Sequence, residues 1–411
     1  MTAILLFLLA SFHLTKYFPA YSALIVAACA AYAALEFRVL VLSETRHHLA
    51  RYALATFVVF ALVIAPTLLE IFLRRATAPY EHIHDGALQT EAALQFLLAG
   101  KIPFGQNYAE TVMGKWQHFV IDPAINPSLH HYLYLPLTFL SALPFYFFTQ
   151  VTFGWFDIRL ISLAAFAALW LILPALTARS ENKLGLLIAF GLNPLFVPFF
   201  IEGRNDVVIL FWLAAMLLAL QKKRVALAAF FFALACATKA TAWLAAPFFL
   251  AQLWQADRAN NSRPISRMTL RALLILAATF AAILFPFLAW DFRAVLDDTL
   301  ALGANTNYIW GYGISMLMLA LGIVPDRLSA FPFSILQLTF GLPTIFLLWR
   351  YQARDYSPRA LAGAAAIFAF VFFFFSRHFA DSYLGYVLAL ALIGYFMDGE
   401  SDNGADTQTR S

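Results

Sequence analysis

Long, uninterrupted apolar runs limit most strongly what this chain can fold into. A run of about 18 or more apolar residues can cross a bilayer as a helix, and such runs recur from the start of the sequence almost to its end. They are continuous, whereas a membrane β-barrel alternates apolar and polar residues. In lipid, helices are then the only structure that satisfies the backbone. The sequence predicts an all-α, polytopic transmembrane helical bundle of about 11–13 spans.

The apolar segments are 3–14, 18–35, 52–72, 132–148, 160–178, 184–200, 207–220, 225–254, 270–290, 328–349, 360–375 and 383–396. The run 225–254 is too long for one span and has Thr238, Lys239 and Thr241 in its middle. It predicts two short helices that meet at a polar tip. The run 132–148 contains two prolines, which interrupt helices. We therefore expect it to dip into the membrane and return, or to lie along its surface.

Composition supports this class and excludes others. Charged residues make up 12% of the chain, against about 25% in soluble domains. The net charge of +4 is no signal for nucleic acid, because membrane proteins collect Lys and Arg in cytoplasmic loops. Cys29 and Cys236 both lie in apolar segments, so neither a disulfide scaffold nor a zinc cluster is expected. Phosphate-loop, dinucleotide-binding and serine-hydrolase motifs are absent from the sequence.

Five basic loops predict the orientation of the bundle. They lie at 38–51, 179–183, 221–224, 258–271 and 350–359, and the excess of positive charge favours the cytoplasm. The opposite face then carries a long first loop, 74–131, with short interfacial helices. We expect one membrane domain over residues 1–400, with the functional site on the extracytoplasmic face. The polar end, 401–411, predicts a disordered tail.

Asp85 is the first candidate catalytic residue. It follows the third apolar segment closely and precedes a helix-like run, "GALQTEAALQFLLAG". A carboxylate near the membrane surface is suited to act as a general base toward an acceptor hydroxyl. The alternative is an N-cap, because Asp before a helix accepts backbone N–H bonds.

A second group of candidates lies in other outer loops. Glu202 and Asp206 are four residues apart in "EGRND", with Arg204 between them, although a short polar loop is often only a solvated turn. Cations near the outer boundary predict an anionic ligand such as a lipid-linked phosphate. They are Arg159, Arg204, Lys239 and Arg377, with His378 beside them. Lys239 has no acidic residue nearby in sequence, so it needs an anionic partner unless it snorkels to the interface.

The histidines leave the question of a metal open. His82, His84 and Asp85, with His130 or His131, offer ligands for a divalent cation. Nothing in the sequence closes that site, so we expect no certain cofactor and keep a divalent metal as an alternative. Aromatic residues of the outer face predict, for most of their number, an interfacial belt; among them are Tyr108, Tyr132, Tyr308, Trp310 and Tyr312.

This order of features resembles the glycosyltransferase C superfamily, and in particular bacterial polyprenol-phosphate-mannose-dependent mannosyltransferases. The resemblance rests on "HDG…AALQFLLAGKIPFGQNY", on "NPSLHHYLYLPL" and on "ALACATKATAWLAAPFFL". It implies an enzyme of a bacterial inner membrane whose donor is a polyprenyl-phosphate sugar, most simply a mannose-like hexose. The acceptor would be a glycan, a glycolipid or a protein. Many larger relatives have a soluble outer domain, so acceptor recognition is expected from loops here.

The resemblance also implies roles for residues. Asp85 would be the general base of an inverting transfer, and Asp206 or Glu202 would be the second outer acid. Arg159, Lys239 and Arg204 would face the donor phosphate. The alternatives are a transporter or lipid flippase, which favours ionisable groups at the midplane and internal repeats, and an enzyme that joins whole lipid-linked glycans.

Overall fold

The computed structural model describes residues 1–14, 19–39, 42–116, 126–259, 265–301 and 308–398. The predicted tail, 401–411, lies outside the described residues. The helices are α1 Thr2–Leu14, α2 Pro19–Glu36, α3 Glu44–Val59, α4 Ala65–Ala76, α5 Asp85–Leu98, α6 Leu137–Leu140, α7 Leu143–Phe153, α8 Arg159–Ile172, α9 Ser180–Gly191, α10 Val197–Glu202, α11 Asp206–Gln221, α12 Val225–Thr238, α13 Ala246–Ala259, α14 Arg267–Trp290, α15 Phe292–Leu296, α16 Ile314–Ala320, α17 Phe333–Gln352, α18 Pro358–Phe374 and α19 Asp381–Phe396. Two-residue strands, β1 Trp310–Gly311 and β2 His378–Phe379, pair in parallel.

The predicted fold class is confirmed: the protein is an all-α helical bundle with almost no strand. Within the described residues, five helical segments are long and apolar enough to cross a membrane. They are Pro19–Glu36, Glu44–Ala76, Arg159–Leu176, Arg267–Trp290 and Phe333–Gln352. Segment Glu44–Ala76 is continuous because a π-helical turn, Phe60–Ile64, joins α3 to α4. Shorter apolar helices, such as α11, α12, α18 and α19, fill the centre of the bundle.

One end of the bundle gathers three of the predicted basic loops. Arg51 near the start of α3 donates to Glu181 at the start of α9, with 2.6 Å between Nη1 and Oε1. Gln221 at the end of α11 donates to the carbonyl of Leu176. These contacts join the connectors α2–α3, α8–α9 and α11–α12, so their positive charges lie on one side of the molecule. We call this side the basic end.

The other end holds the polar tip at Lys239. Helix α12 ends at Thr238, Lys239 is extended, and a 3₁₀ turn, Ala240–Ala245, leads into α13. The prediction of two short helices meeting at a polar tip is correct. The extended residue stops α12 because its φ of −156° and ψ of 141° are strand values, not helical ones.

The proline-containing run 132–148 forms α6 and α7, and both ends of this pair lie away from the basic end. At its start, Leu135 N and Thr138 Oγ1 donate to the carbonyl of Thr238, next to the Lys239 tip. At its finish, the carbonyl of Phe153 accepts from Arg75 at the end of α4. A segment that starts and finishes at the same end has the placement that a re-entrant or surface segment requires.

A short stretch, Tyr308–Gly313, crosses this end of the bundle, and we call it the strap. Its strand β1 pairs with β2 in the connector between α18 and α19, so that Trp310 lies opposite His378. Gly311 has a φ of +101°, and a Cβ there would lie 1.7 Å from the carbonyl oxygen of Phe379. Only glycine therefore allows the two backbones to approach this closely.

Candidate functional site

A cavity of about 190 Å³ opens at the end of the bundle that carries the Lys239 tip. It is lined by residues from the first long loop, the α10–α11 turn, the strap and the start of α19. Its ionisable residues, tyrosines aside, are His84, Asp85, Arg204, Asp206, Lys239, His378 and Asp381. Six of these were predicted as site residues, although they come from distant parts of the sequence. The structure thus brings together Asp85, Asp206 and Lys239, on which the predicted site depends.

Asp85 is the first residue of α5, and His84 takes the N-cap position. The N-cap interpretation of Asp85 is therefore displaced by one residue, although Asp85 Oδ1 still accepts from Gly86 N at 2.7 Å. The Nδ1 of His84 lies 2.8 Å from the same oxygen. Burial by itself would raise the pKa of Asp85, but His84, the Gly86 N–H and the charge of Arg204 outweigh it and hold the pKa well below its usual range. Asp85 is therefore an ionised carboxylate at neutral pH.

Gly86 allows the wall of the cavity to close around Asp85. A Cβ at this position would lie 2.2 Å from the hydroxyl oxygen of Tyr134, so any larger residue displaces the tyrosine. The ring of Tyr134 also lies beneath Lys239, with 5.6 Å from Nζ to the ring centroid. The sequence "HDG" thus fixes both the carboxylate and the aromatic residue beside it.

Lys239 has the anionic partner that its sequence position demanded. Its Nζ donates to Asp206 Oδ1 at 2.7 Å and to Asn205 Oδ1 at 3.3 Å. Both charged side chains are almost fully buried, and the ring of Tyr383 lies 5.3 Å from Nζ. An ammonium group has three donors, so one remains after these two hydrogen bonds. The carboxylate comes from another helix, 33 residues away in sequence.

Arg204 also lines the cavity and uses only part of its hydrogen-bonding capacity. Its Nη1 donates to Ser382 Oγ at 2.9 Å and lies 3.5 Å from Asp381 Oδ1. Among the described residues, its buried Nε has no hydrogen-bond partner, and Glu202 is 3.9 Å away. The guanidinium packs over the ring of Phe199. It therefore retains donors for a further anion.

Aromatic side chains form part of the cavity wall. Tyr308 and Trp310 from the strap and Tyr383 from α19 line the cavity. His378 packs edge-on against Tyr308, with 5.4 Å between ring centroids. Burial lowers the pKa of His378 to about 4, so its imidazole is neutral at physiological pH. Flat apolar faces beside ionised groups suit a sugar ring, whose C–H faces are apolar and whose hydroxyls are polar.

Arg159, predicted to face a donor phosphate, does not line this cavity. It is fully buried and donates from Nε and Nη2 to the two oxygens of Asp157, at 2.9 and 2.7 Å. Its Nη1 donates to the carbonyl of His82. Arg74 bonds the same Asp157 and also Glu91, at 2.8 and 2.6 Å. We call these two arginines and two carboxylates the Arg74–Arg159 network. It fixes the long loop to the start of α8.

Two other predicted residues also lie off the cavity wall. Glu202 is half exposed, and its backbone carbonyl accepts from His84 N at 2.8 Å, so it positions the loop through its main chain. Arg377 is buried and donates to the carbonyls of Ser329 and Arg327. These bonds anchor the segment that follows the strap.

The predicted metal ligands point to separate partners. His82 Nδ1 lies 2.8 Å from Glu70 Oε2, His84 contacts Asp85, and His131 Nδ1 lies 2.9 Å from Asp298 Oδ1. In the described part of the chain, no group of three potential ligands converges on this cavity.

Sequence reasoning missed Asp381, Ser382 and Asn205 as cavity residues and assigned Tyr308 and Trp310 to an interfacial belt. Asp381 carried a weak signal, since it is the acidic residue at the start of the last apolar segment. The belt prediction is also wrong for Tyr108 and Tyr132, which are fully buried and stacked on each other. It suits Tyr312, which is 63% exposed.

Residues 133–256 match the family model described as alpha-(1->6)-mannopyranosyltransferase, N-terminal domain. Arg204, Asp206 and Lys239 lie inside the match, whereas Asp85 and Asp381 lie outside it. Comparisons with curated proteins and with solved structures gave no match. The predicted resemblance is confirmed over residues 133–256, where the chain is similar to a mannosyltransferase domain of the glycosyltransferase C type.

Proposed function

We propose that the protein transfers mannose from a polyprenyl-phosphate donor to an acceptor hydroxyl, with inversion, at the extracytoplasmic face of a bacterial inner membrane. The main support for this proposal is one cavity in which the ionised Asp85 lies with Arg204 and Lys239. The match of residues 133–256 to a mannosyltransferase family model is the second support. The cavity lies away from the basic end, and positive charge favours the cytoplasm. That arrangement supports the extracytoplasmic assignment.

In the proposed reaction, the acceptor oxygen attacks the anomeric carbon while its proton passes to Asp85. The bond between the anomeric carbon and the phosphate oxygen breaks, and the lipid phosphate leaves with the electron pair. Its negative charge is met by donors of Arg204 and by the remaining N–H of Lys239. A phosphate leaving group needs no proton when cations stabilise its developing charge. A single displacement of this kind inverts the anomeric centre.

Asp206 has a different role in this proposal from the one first expected. It is the counter-ion of Lys239, at 2.7 Å, and it begins α11, where the helix N-terminus stabilises a carboxylate. It therefore positions the ammonium group and does not take the acceptor proton. Asp381 and Ser382 hold Arg204 from the other side, next to the aromatic wall where the sugar ring would lie.

The transporter alternative is less well supported. Transport sites favour charged groups near the middle of the bilayer, whereas this cavity is built from connectors and helix ends at one end of the bundle. The glycan-ligase alternative would use the same cavity with a larger donor. A donor series separates it from the proposal.

The test uses the purified full chain in nanodiscs with radiolabelled polyprenyl-phosphate mannose, other polyprenyl-phosphate hexoses and a lipid-linked oligosaccharide. We expect mannosylated product from the first donor with the wild type and none with Asp85→Asn. Glu110→Gln, which changes an exposed carboxylate of the long loop outside the cavity, controls for general damage and should retain turnover per folded molecule. Turnover by Asp85→Asn would remove Asp85 from the mechanism. Movement of the donor across vesicles without bond cleavage would support a transporter.

A further inference from the structure

A second cluster of ligand-type side chains lies at the basic end, far from the cavity. Glu44, His47 and His48 occupy one turn at the start of α3, and their ligand atoms all lie within 4.8 Å of one another. His47 and His48 follow Glu44 by three and four residues, and each of these spacings brings a side chain next to that of Glu44 on the helix surface. We propose that these residues bind a divalent transition-metal ion such as Zn²⁺.

His47 supplies the observation that points to a ligand. It is 4% exposed, and its Nε2 lies 2.8 Å from the carbonyl oxygen of Leu35. A carbonyl only accepts, so Nε2 carries the proton and Nδ1 presents a lone pair. That Nδ1 is buried and has no hydrogen-bond partner among the described residues. A buried polar atom without a partner is costly, and a cation bound there removes the cost.

The bond to Leu35 is also the support that metal-binding histidines usually have. A ligating imidazole almost always donates its other N–H to a carbonyl or carboxylate, which fixes the ring and its tautomer. The carbonyl is at the end of α2, so the ring is held between α2 and α3. His47 is therefore already oriented as a ligand, with Nδ1 as the coordinating atom.

Glu44 and His48 complete the set. Glu44 Oε1 accepts from Arg38 at 2.8 Å, and Oε2 lies 3.9 Å from His48 Nε2. Two ligands at about 2.1 Å from a tetrahedral Zn²⁺ are roughly 3.4 Å apart. The separation of this pair is thus about 0.5 Å too long. Both side chains are substantially exposed, so their rotation can bring the three ligand atoms, now within 4.8 Å of one another, to bonding distance of one ion. Two imidazoles and a carboxylate are a donor set that Zn²⁺ accepts, with water in the fourth position.

The consequence is a connection at the end opposite the site of sugar transfer. The ion would tie the α2–α3 connector, through Arg38 and Leu35, to the first turn of the 33-residue helical segment that ends beside the long loop. It would act on the stability of this end and would not enter the chemistry of the cavity. This proposal does not depend on the transfer reaction.

The experiment measures binding of Zn²⁺ and of Co²⁺ to untagged full-length protein in detergent, by equilibrium dialysis with metal analysis and by the visible absorption of Co²⁺. We expect one ion per chain, with affinity at least tenfold weaker in Glu44→Gln, His47→Gln and His48→Gln. His82→Gln, at the cavity end, is the matched control and should bind as the wild type does.

Zn²⁺ should also raise the melting temperature of the wild type and of His82→Gln, and not that of Glu44→Gln. Glu44 is exposed, so this variant folds even if the buried His47→Gln does not. Absence of stoichiometric binding, unchanged affinity in Glu44→Gln and His48→Gln, or a loss confined to His82→Gln would each overturn the proposal.

Discussion

Two arginines at the same end of the bundle, the fully buried Arg159 and the partly exposed Arg204, have opposite environments. Arg159 donates hydrogen bonds from Nε, Nη1 and Nη2. Asp157 neutralises its charge, with 2.7 Å between Nη2 and Oδ2. Arg204 hydrogen-bonds to described residues from Nη1 alone, and the cavity lies beside it. Both were predicted to bind a phosphate, because sequence shows only a cation near the membrane boundary. The comparison shows that a cationic side chain indicates a ligand only when some of its N–H donors are not used by acceptors of the protein itself.

The same contrast applies to carboxylates. Asp157 accepts from two arginines and belongs to a closed network of two cations and two anions. Asp85 has one histidine and one backbone N–H as close partners and borders the cavity. In both cases burial raises the pKa of the carboxylate, but neighbouring positive charges and hydrogen bonds lower it by more, so that the net pKa is below its usual value. The ionised Asp157 holds the Arg74–Arg159 network together, whereas the ionised Asp85 borders the cavity, where a substrate can reach it.

The largest expected effects separate these two carboxylates. Asp85→Asn should lower kcat by about 100- to 10,000-fold, the range for loss of a general base, with little change in melting temperature. Asp157→Asn should lower the free energy of unfolding by about 3–5 kcal/mol, because it removes the carboxylate that neutralises the buried Arg159. Transfer assays and thermal unfolding in detergent measure both quantities. The distinction fails if Asp85→Asn unfolds or if Asp157→Asn is as stable as the wild type.

The second prediction concerns the Lys239–Asp206 ion pair. The two charges neutralise each other, but both side chains border the cavity. Lys239→Met should destabilise the protein by about 3–5 kcal/mol, since Asp206 would be left buried and unpaired. The double variant Lys239→Met/Asp206→Leu should recover most of that stability and still use the donor poorly. Unfolding curves and KM for the polyprenyl-phosphate donor give the two readouts. Full recovery of donor use would make the pair purely structural.

The third prediction compares the arginines directly. Arg204→Lys should raise the KM for the donor about tenfold and leave stability nearly unchanged, because lysine keeps the charge but loses the planar fork. Arg159→Lys should lower the stability and leave the KM for the donor nearly unchanged, since the guanidinium of Arg159 binds both oxygens of Asp157. Steady-state kinetics measure the KM for the donor in the two variants, and melting temperatures measure their stability. Equal effects of both changes on KM would show that Arg159 also acts on the donor.

The smallest expected effect is a pH dependence from His378. Its pKa is lowered to about 4 in the folded state, against about 6.5 when unfolded. The unfolded chain therefore binds more protons between these values, so the stabilising contribution is complete above about pH 6.5 and is lost as the pH falls toward 4. Melting temperatures at pH 7.5 and pH 5 should differ less in His378→Gln than in the wild type. An identical pH dependence in both proteins would show that His378 does not titrate in this way.

Much of the cavity could be predicted one residue at a time, but its pairs could not. Asp85, Arg204, Asp206 and Lys239 stand out in sequence because polar residues are rare between apolar runs. The partner of Lys239 is 33 residues away, and Asp381 comes from the last helix. Tyr308 and Trp310 were assigned to the membrane interface, because sequence does not distinguish an aromatic belt from the wall of a cavity.

The sequence by itself determined the helical bundle, the break at Lys239 and the separation of basic loops from the polar site. These follow from the length of apolar runs and from local backbone preference, which neighbouring residues decide. Only the tertiary structure decided which charges are neutralised and which remain open to a ligand. Pairing depends on distances between helices, and those distances are fixed by packing that no short stretch of sequence contains.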